Sequence, residues 1–214
     1  MDIYQTEDEQ VEALKKWWEE NGKSAIFGVV LGLMAIFGWR EWKDYEAQQA
    51  ASASQLYQEM IIATRDQKAD KAGEKAKEIV AEYESTAYAV FAKLGLAKNA
   101  VANGELDKAR ENLQWALDNT RQDSLRHVIT LRIADVLIAQ NKLSEANTLL
   151  GNNTNRGEFS ASYLQMEGDV QRLEGNVDAA VEAYQKAVSI AQESGLDTSI
   201  LDMKLDDLGR SKEL

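Results

Sequence analysis

The chain has one histidine, His127, and any side-chain chemistry would have to start there. A metal site needs further His or Cys at ligand spacing, and the sequence has neither. One imidazole suffices for a Ser-His-Asp assembly, yet no Gly-x-Ser-x-Gly turn presents a nucleophile. Carboxylates are plentiful, but none stands isolated in an apolar setting that would mark an acid–base pair. No glycine-rich loop follows a strand to cradle phosphate. His127 therefore reads as a residue near a helix start. The expectation is a protein with no catalytic residue, no metal and no cofactor.

The elements that carry these residues are helices. Proline is absent, and Ala, Glu, Lys, Leu and Gln dominate, so nothing interrupts the backbone ladder. An all-α fold is expected. The absence of cysteine excludes disulfides. With a net charge of −12 and no basic run longer than Lys15-Lys16, nucleic-acid binding is excluded in favour of an acidic, solvated surface.

One stretch breaks the charged pattern. Sixteen residues, Ser24 to Trp39, carry no charge and would rise about 24 Å as a helix, against roughly 30 Å of bilayer hydrocarbon. Lys23 and Arg40 extend it by snorkelling, and Trp17 and Trp18 on one side with Trp39 and Trp42 on the other sit where interfacial anchors belong. A signal peptide is disfavoured, because the leader is acidic and Ala51-Ser52-Ala53 lies too far beyond the run. The reading is one transmembrane helix over residues 24–42, in contact with membrane lipid; a helix buried in a core is the alternative. Ala25, Gly28, Gly32 and Ala35 share one face, and Gly28 and Gly32 form a GxxxG that lets backbones approach closely. This is either a helix-packing face or the ordinary glycine content of a span. The bases before and after the run favour, weakly, a cytoplasmic N-terminus.

Residues 1–23 form an amphipathic tail. Val11, Leu14, Trp17 and Trp18 make its apolar face, and Asn21-Gly22 is expected to stop its helix. Such a helix lies at a membrane surface, or serves as a partner-binding tail. The C-terminal Ser-Lys-Glu-Leu matches neither an ER-retention nor a peroxisomal signal.

Beyond the run, residues 43–214 show a period. Ala97, Ala134 and Gly168 are 37 and 34 residues apart; each is followed by a turn residue (Gly104, Asn141, Gly175), then by Ala109, Ala146 and Ala180. Leu113, Leu150 and Tyr184 come next, with Ala116 and Ala187 completing two units. The pattern resembles the tetratricopeptide repeat, a helical hairpin of about 34 residues that stacks into a solenoid. Departures from that repeat are the missing closing proline, Gln171 in place of an aromatic, and Thr130 and Leu164 in place of tryptophan. Units are expected at about 90–120, 127–152 and 161–192. A degenerate first unit falls at about 47–83, its charged turn RDQKADKAGEK read as an insertion, and a capping helix at about 198–209. The resemblance implies a concave groove lined by Phe91, Leu94, Lys98 and Val101, then Val128, Leu131, Asp135 and Ile138, then Ser162, Gln165, Asp169 and Arg172. The helix HVITLRIADVLIAQ is apolar nearly all round, through packing between units or because one face awaits a ligand.

From VEALKKWWEENGK through the glycine-studded run ending GWREW to the degenerate repeats, the whole chain resembles the ancillary SecYEG translocon subunit family. The resemblance implies a single-pass protein of the bacterial inner membrane, with a cytoplasmic N-terminus and a periplasmic repeat domain. It implies association with the SecYEG translocon and the periplasmic chaperone PpiD, contact with exported polypeptides, and a non-catalytic role in passing them to the periplasmic chaperone network. A membrane-anchored scaffold for envelope stress signalling or cell division is the alternative.

Overall fold

The computed structural model describes residues 7–209; the first six residues of the tail and residues 210–214, which include the Ser-Lys-Glu-Leu terminus, lie outside it. The described residues are helical, with no strand among them. Two compact units are present, Met1–Ala51 and Ser52–Leu214.

The first unit belongs to one helix, α1 (Glu7–Arg65). The expected stop at Asn21-Gly22 does not occur. Glycine ends a helix by taking up a left-handed φ, and Gly22 keeps a helical backbone. Asn21 Nδ2 donates to the Trp17 carbonyl at 3.1 Å, and the Trp18 indole covers Gly22 so closely that a Cβ there would lie 3.1 Å from Trp18 Cε2. Good helix formers flank the pair and no proline follows, so the ladder propagates through glycine at a cost of about 1 kcal/mol. The boundaries at residues 23 and 42 are therefore changes of composition along one helix. The tail is not a separate surface helix, which corrects that expectation.

Within the uncharged stretch the side chains are bare: Ile26, Phe27, Ile36 and Phe37 are each more than half exposed. A core helix would be covered, so that alternative is overturned. By length and hydropathy α1 is long and apolar enough to cross a membrane.

The second unit takes in the end of α1, then α2 (Ala69–Glu82), α3 (Ala87–Ala102), α4 (Leu106–Asn119), α5 (Asp123–Ala139) and α6 (Leu143–Gly151). A 3-10 turn (Gly157–Phe159), α7 (Ser160–Leu173), α8 (Val177–Glu193) and α9 (Ser199–Asp207) follow. From α2 onward each helix packs on the next, and α5 also reaches α7.

Five helix ends close in the same way. Gln67, Gly104, Asn141, Gly175 and Gly195 have φ of 59°, 74°, 58°, 82° and 67°. The next residue's N–H then reaches five residues back at 2.8 to 2.9 Å: Lys68 to Ala63, Glu105 to Ala100, Lys142 to Leu137, Asn176 to Gln171 and Leu196 to Ala191. These are Schellman closures, which satisfy helix-end carbonyls and reverse the chain tightly. The closure at Gln67 corrects the inserted turn expected in the first unit. α1 ends at Arg65 and α2 begins at Ala69, so the connection is as short as the others and the rest of the charged segment is helix. Gln67 stands 37 residues before Gly104, and Met60 stands 37 before Ala97, buried and 3.4 Å from where a Cβ on Gly95 would sit.

Small residues set the helix spacing inside each hairpin. Ala109, Ala116, Ala134, Ala146, Ala180 and Ala187 are fully buried. At Gly168 even a methyl group is too large, since a Cβ would lie 2.5 Å from Tyr184 Cε1. The C-terminal α9 buries Leu201 and Leu205 in the same cluster as Tyr184.

Candidate functional site

Two rows of side chains face a common cleft of about 550 Å³ in the second unit. On α3, Leu94, Lys98 and Val101 recur at four- and three-residue spacing, one stripe of a helix. On α5, Val128, Arg132, Asp135, Val136 and Ala139 form the facing stripe. α4 packs against both helices and supplies Leu106 and Leu113. The structure thus gathers five of the groove positions expected from sequence: Leu94, Lys98, Val101, Val128 and Asp135.

The other groove positions are placed elsewhere. Phe91 is half-buried in an aromatic cluster, its ring 5.8 Å from Tyr57 and 6.4 Å from Tyr88. Leu131 and Ile138 are half-buried against the main core. Ser162 and Arg172 are exposed, Gln165 is half-buried, and none of them lines the cleft. Asp169 is engaged internally: it accepts from the Tyr184 hydroxyl at 2.7 Å and from Lys204 of α9. α5 is covered on most of its circumference, with Ile129, Thr130, Ile133, Ala134, Val136 and Leu137 buried. Packing between units therefore accounts for most of its apolar character.

Sequence reasoning missed Leu106, Arg132, Val136 and Ala139 as cleft residues. Arg132 and Ala139 were legible as the next turns of the stripe that begins at Val128. Leu106 was not, because it comes from the second helix of its hairpin, outside the positions the repeat assigns to the groove.

Charge in the cleft is uneven. Arg132 holds Asp135 at 3.5 Å, one turn apart. Lys98 makes no ion pair among the described residues. Burial raises the Asp135 carboxyl above its ordinary value; Arg132 opposes that shift, and the Asp169 charge adds to it. The Tyr184 hydroxyl is pushed up by burial and by its bond to Asp169. A second hollow, about 770 Å³ between α2, α3 and α4, is lined mainly by polar and charged groups such as Asp70, Glu74, Lys77, Lys93 and Lys108.

His127 is half-buried in the second turn of α5, not at its start. Its ring stacks on Phe159 with centroids 5.0 Å apart, and Nδ1 lies 3.1 Å from the Tyr163 hydroxyl. It ties α5 to α7. Arg156 makes a parallel tie between α6 and α7, donating to the Leu150 and Asn153 carbonyls and to Glu167.

In the first unit, Trp17, Trp18, Lys23, Trp39, Arg40 and Trp42 are all exposed, and Lys43 lies 5.2 Å from the Trp39 ring centroid. A Cβ at Gly28 or Gly32 would meet nothing within 4 Å, Ala25 is half-buried and Ala35 is exposed.

A family model described as a tetratricopeptide repeat-like domain matches residues 15–210. Among curated proteins, the chain is 36% identical to one from Haemophilus influenzae, over 94% of this chain and 97% of the relative. It is 35% identical to one from Escherichia coli K12, over 97% and 99%, and 30% identical to one from Aggregatibacter actinomycetemcomitans, over 94% and 97%. All three relatives carry the name ancillary SecYEG translocon subunit.

Proposed function

The chain belongs to the ancillary SecYEG translocon subunit family, whose repeat-like domain it carries, and on that premise we propose that it is a non-catalytic, membrane-anchored adaptor of the translocon. The observation that carries this reading is the uncovered, uncharged stretch of α1, bordered by tryptophans and cations. Bare apolar surface of this extent is stable in lipid and costly in water, at about 25 cal/mol per Å². Lipid therefore surrounds residues 24–42, and the glycine face stays open to another helix. The tail lies in the cytoplasm and the repeat domain in the periplasm. There the domain works beside the chaperone PpiD, receiving exported polypeptides as they leave the channel and passing them to the chaperone network.

Photocrosslinkers placed singly at Ala25 and Gly32 of the full chain, in its native membrane, test the reading. Adducts with channel subunits or with PpiD are expected. Recovery of the chain in the aqueous fraction without detergent, or adducts with neither partner, would overturn it.

A further inference from the structure

The sequence holds two Asn-Gly dipeptides, Asn21-Gly22 and Asn103-Gly104. Asn-Gly is the pairing at which a polypeptide modifies itself most readily. The glycine backbone nitrogen can reach the asparagine side-chain carbonyl, and glycine has no side chain to block the approach. The fold decides whether that reach is made, and the two dipeptides lie in opposite settings.

Asn21-Gly22 sits inside α1, with helix on both sides. The ladder holds the Gly22 nitrogen away from the Asn21 side chain, whose Nδ2 donates to the Trp17 carbonyl at 3.1 Å. Freeing that nitrogen means opening a helix in its interior, several ladder bonds at once. Asn103-Gly104 is the reversal between α3 and α4, and both residues are exposed. Asn103 has φ −88° and ψ 0°, and Gly104 has φ 74°. Among the described residues no hydrogen bond holds the Asn103 side chain. The Gly104 N–H donates to the Val101 carbonyl at 3.0 Å, past the last turn of α3. At a helix end such a bond opens without disturbing the rest, and rotation about the Asn103 ψ then carries the nitrogen to the side-chain carbonyl.

We propose that Asn103 is a site of spontaneous deamidation in the folded chain, converting to aspartate and isoaspartate, and that Asn21 is spared. The Gly104 nitrogen bonds to Asn103 Cγ and gives up its proton; the Cγ–Nδ2 bond breaks, and ammonia leaves. Water then opens the cyclic imide. Attack at Cγ leaves aspartate, and attack at the backbone carbonyl leaves isoaspartate, whose main chain runs through Cβ and Cγ. Nothing is oxidised or reduced. The isoaspartate linkage lengthens the main chain of a turn whose closure depends on its length, since the Glu105 N–H reaches the Ala100 carbonyl at 2.8 Å. α4 starts at the next residue and buries Ala109 completely, so a longer turn breaks the closure and shifts α4 against α3. Either product also adds a negative charge to a chain that already carries −12. The site does not depend on the adaptor reading.

The test ages the full chain in detergent, in warm and mildly alkaline buffer, before digestion with trypsin. Cleavage releases residues 17–23 and 99–108, each with one of the dipeptides. Mass spectrometry with fragmentation reads deamidation at each asparagine, and labelling by an isoaspartyl methyltransferase reads the isoaspartate. Synthetic peptides of the same two sequences, aged alongside, give the rates without the fold. In the chain Asn103 should convert about tenfold faster than Asn21, and in the peptides the two rates should agree within about twofold, because the difference lies in the free energy of local opening. Asn103→Gln, whose ring closure is larger and slower, should stay unconverted at that position. It should also keep its unfolding midpoint on ageing, while the midpoint of the parent chain falls. Equal conversion at the two sites of the chain, an unconverted Asn103, or the same tenfold ratio in the peptides would overturn the proposal. An aged parent chain that holds its midpoint as well as Asn103→Gln does would overturn the effect on the turn.

Discussion

Small residues recur at helical spacing in both units of this protein, and they do opposite things. In the second unit they are closed over: Ala109, Ala134, Ala146 and Ala180 are fully buried, and Gly168 lies against the Tyr184 ring with no room for a methyl. In the first, Gly28 and Gly32 face open space. Residue size is alike, and the surroundings differ. A small residue in the second unit fixes the distance between two helices of its own chain. In the first, a Cβ at Gly28 or Gly32 would meet none of the described residues.

The most forceful way to break this comparison is to add a methyl group in each place. Gly168→Ala should lower the stability of the second unit by about 1–3 kcal/mol, the usual cost of overpacking a filled core. Gly28→Ala with Gly32→Ala should leave the unfolding midpoint of that unit unchanged. Chemical denaturation of both variants in detergent decides it, and equal losses would erase the distinction.

A second pair of substitutions sharpens it through backbone rather than volume. Gly104 holds a left-handed φ, so Gly104→Ala should cost about 1 kcal/mol in the second unit. Gly22 is helical, and the atoms nearest a Cβ placed there belong to the exposed side chain of Trp18. Gly22→Ala should therefore strengthen α1 locally by about 0.5–1 kcal/mol. Amide exchange at residues 18–26 should slow in Gly22→Ala, while exchange at residues 100–106 should quicken in Gly104→Ala.

The smallest effect concerns charge. The Asp135 carboxyl is raised in the folded state, so folding favours its protonated form. Its ionisation costs stability as pH rises from the unfolded value of 3.8 through the folded value, and the penalty is fully present above the latter. Asp135→Asn should therefore stabilise the protein at pH 7 by a few tenths of a kcal/mol, a small figure because the carboxylate is about half exposed and the Arg132 pair is lost with it. The gain should shrink as thermal melts move from pH 7 toward pH 4. A gain that grows on acidification would reverse the assigned sign.

Much of the second unit was legible because its turns use residues whose chemistry announces them. Glycine and asparagine tolerate a left-handed φ, so Gly104, Asn141 and Gly175 mark chain reversals in the bare sequence. Gln67 makes the same reversal with a residue type that gives no such sign; only its 37-residue offset from Gly104 betrays it. Asn21-Gly22 misled in the other direction, because a stop signal works only where the following residues decline to continue the helix. The groove was half legible for a related reason. Periodicity places Asp169 on the right stripe, but it cannot reveal that Tyr184 and Lys204 already occupy its carboxylate. Which positions face a cleft depends on what neighbouring helices have claimed.

The unbroken ladder across Gly22 makes the tail and the apolar stretch a single shaft. Each residue turns the helix by about 100°, so the azimuth of Gly28 and Gly32 is locked to that of Trp18. A partner that clasps the indole also chooses the direction in which the glycine face looks, and torque applied at one end arrives at the other without a joint to absorb it.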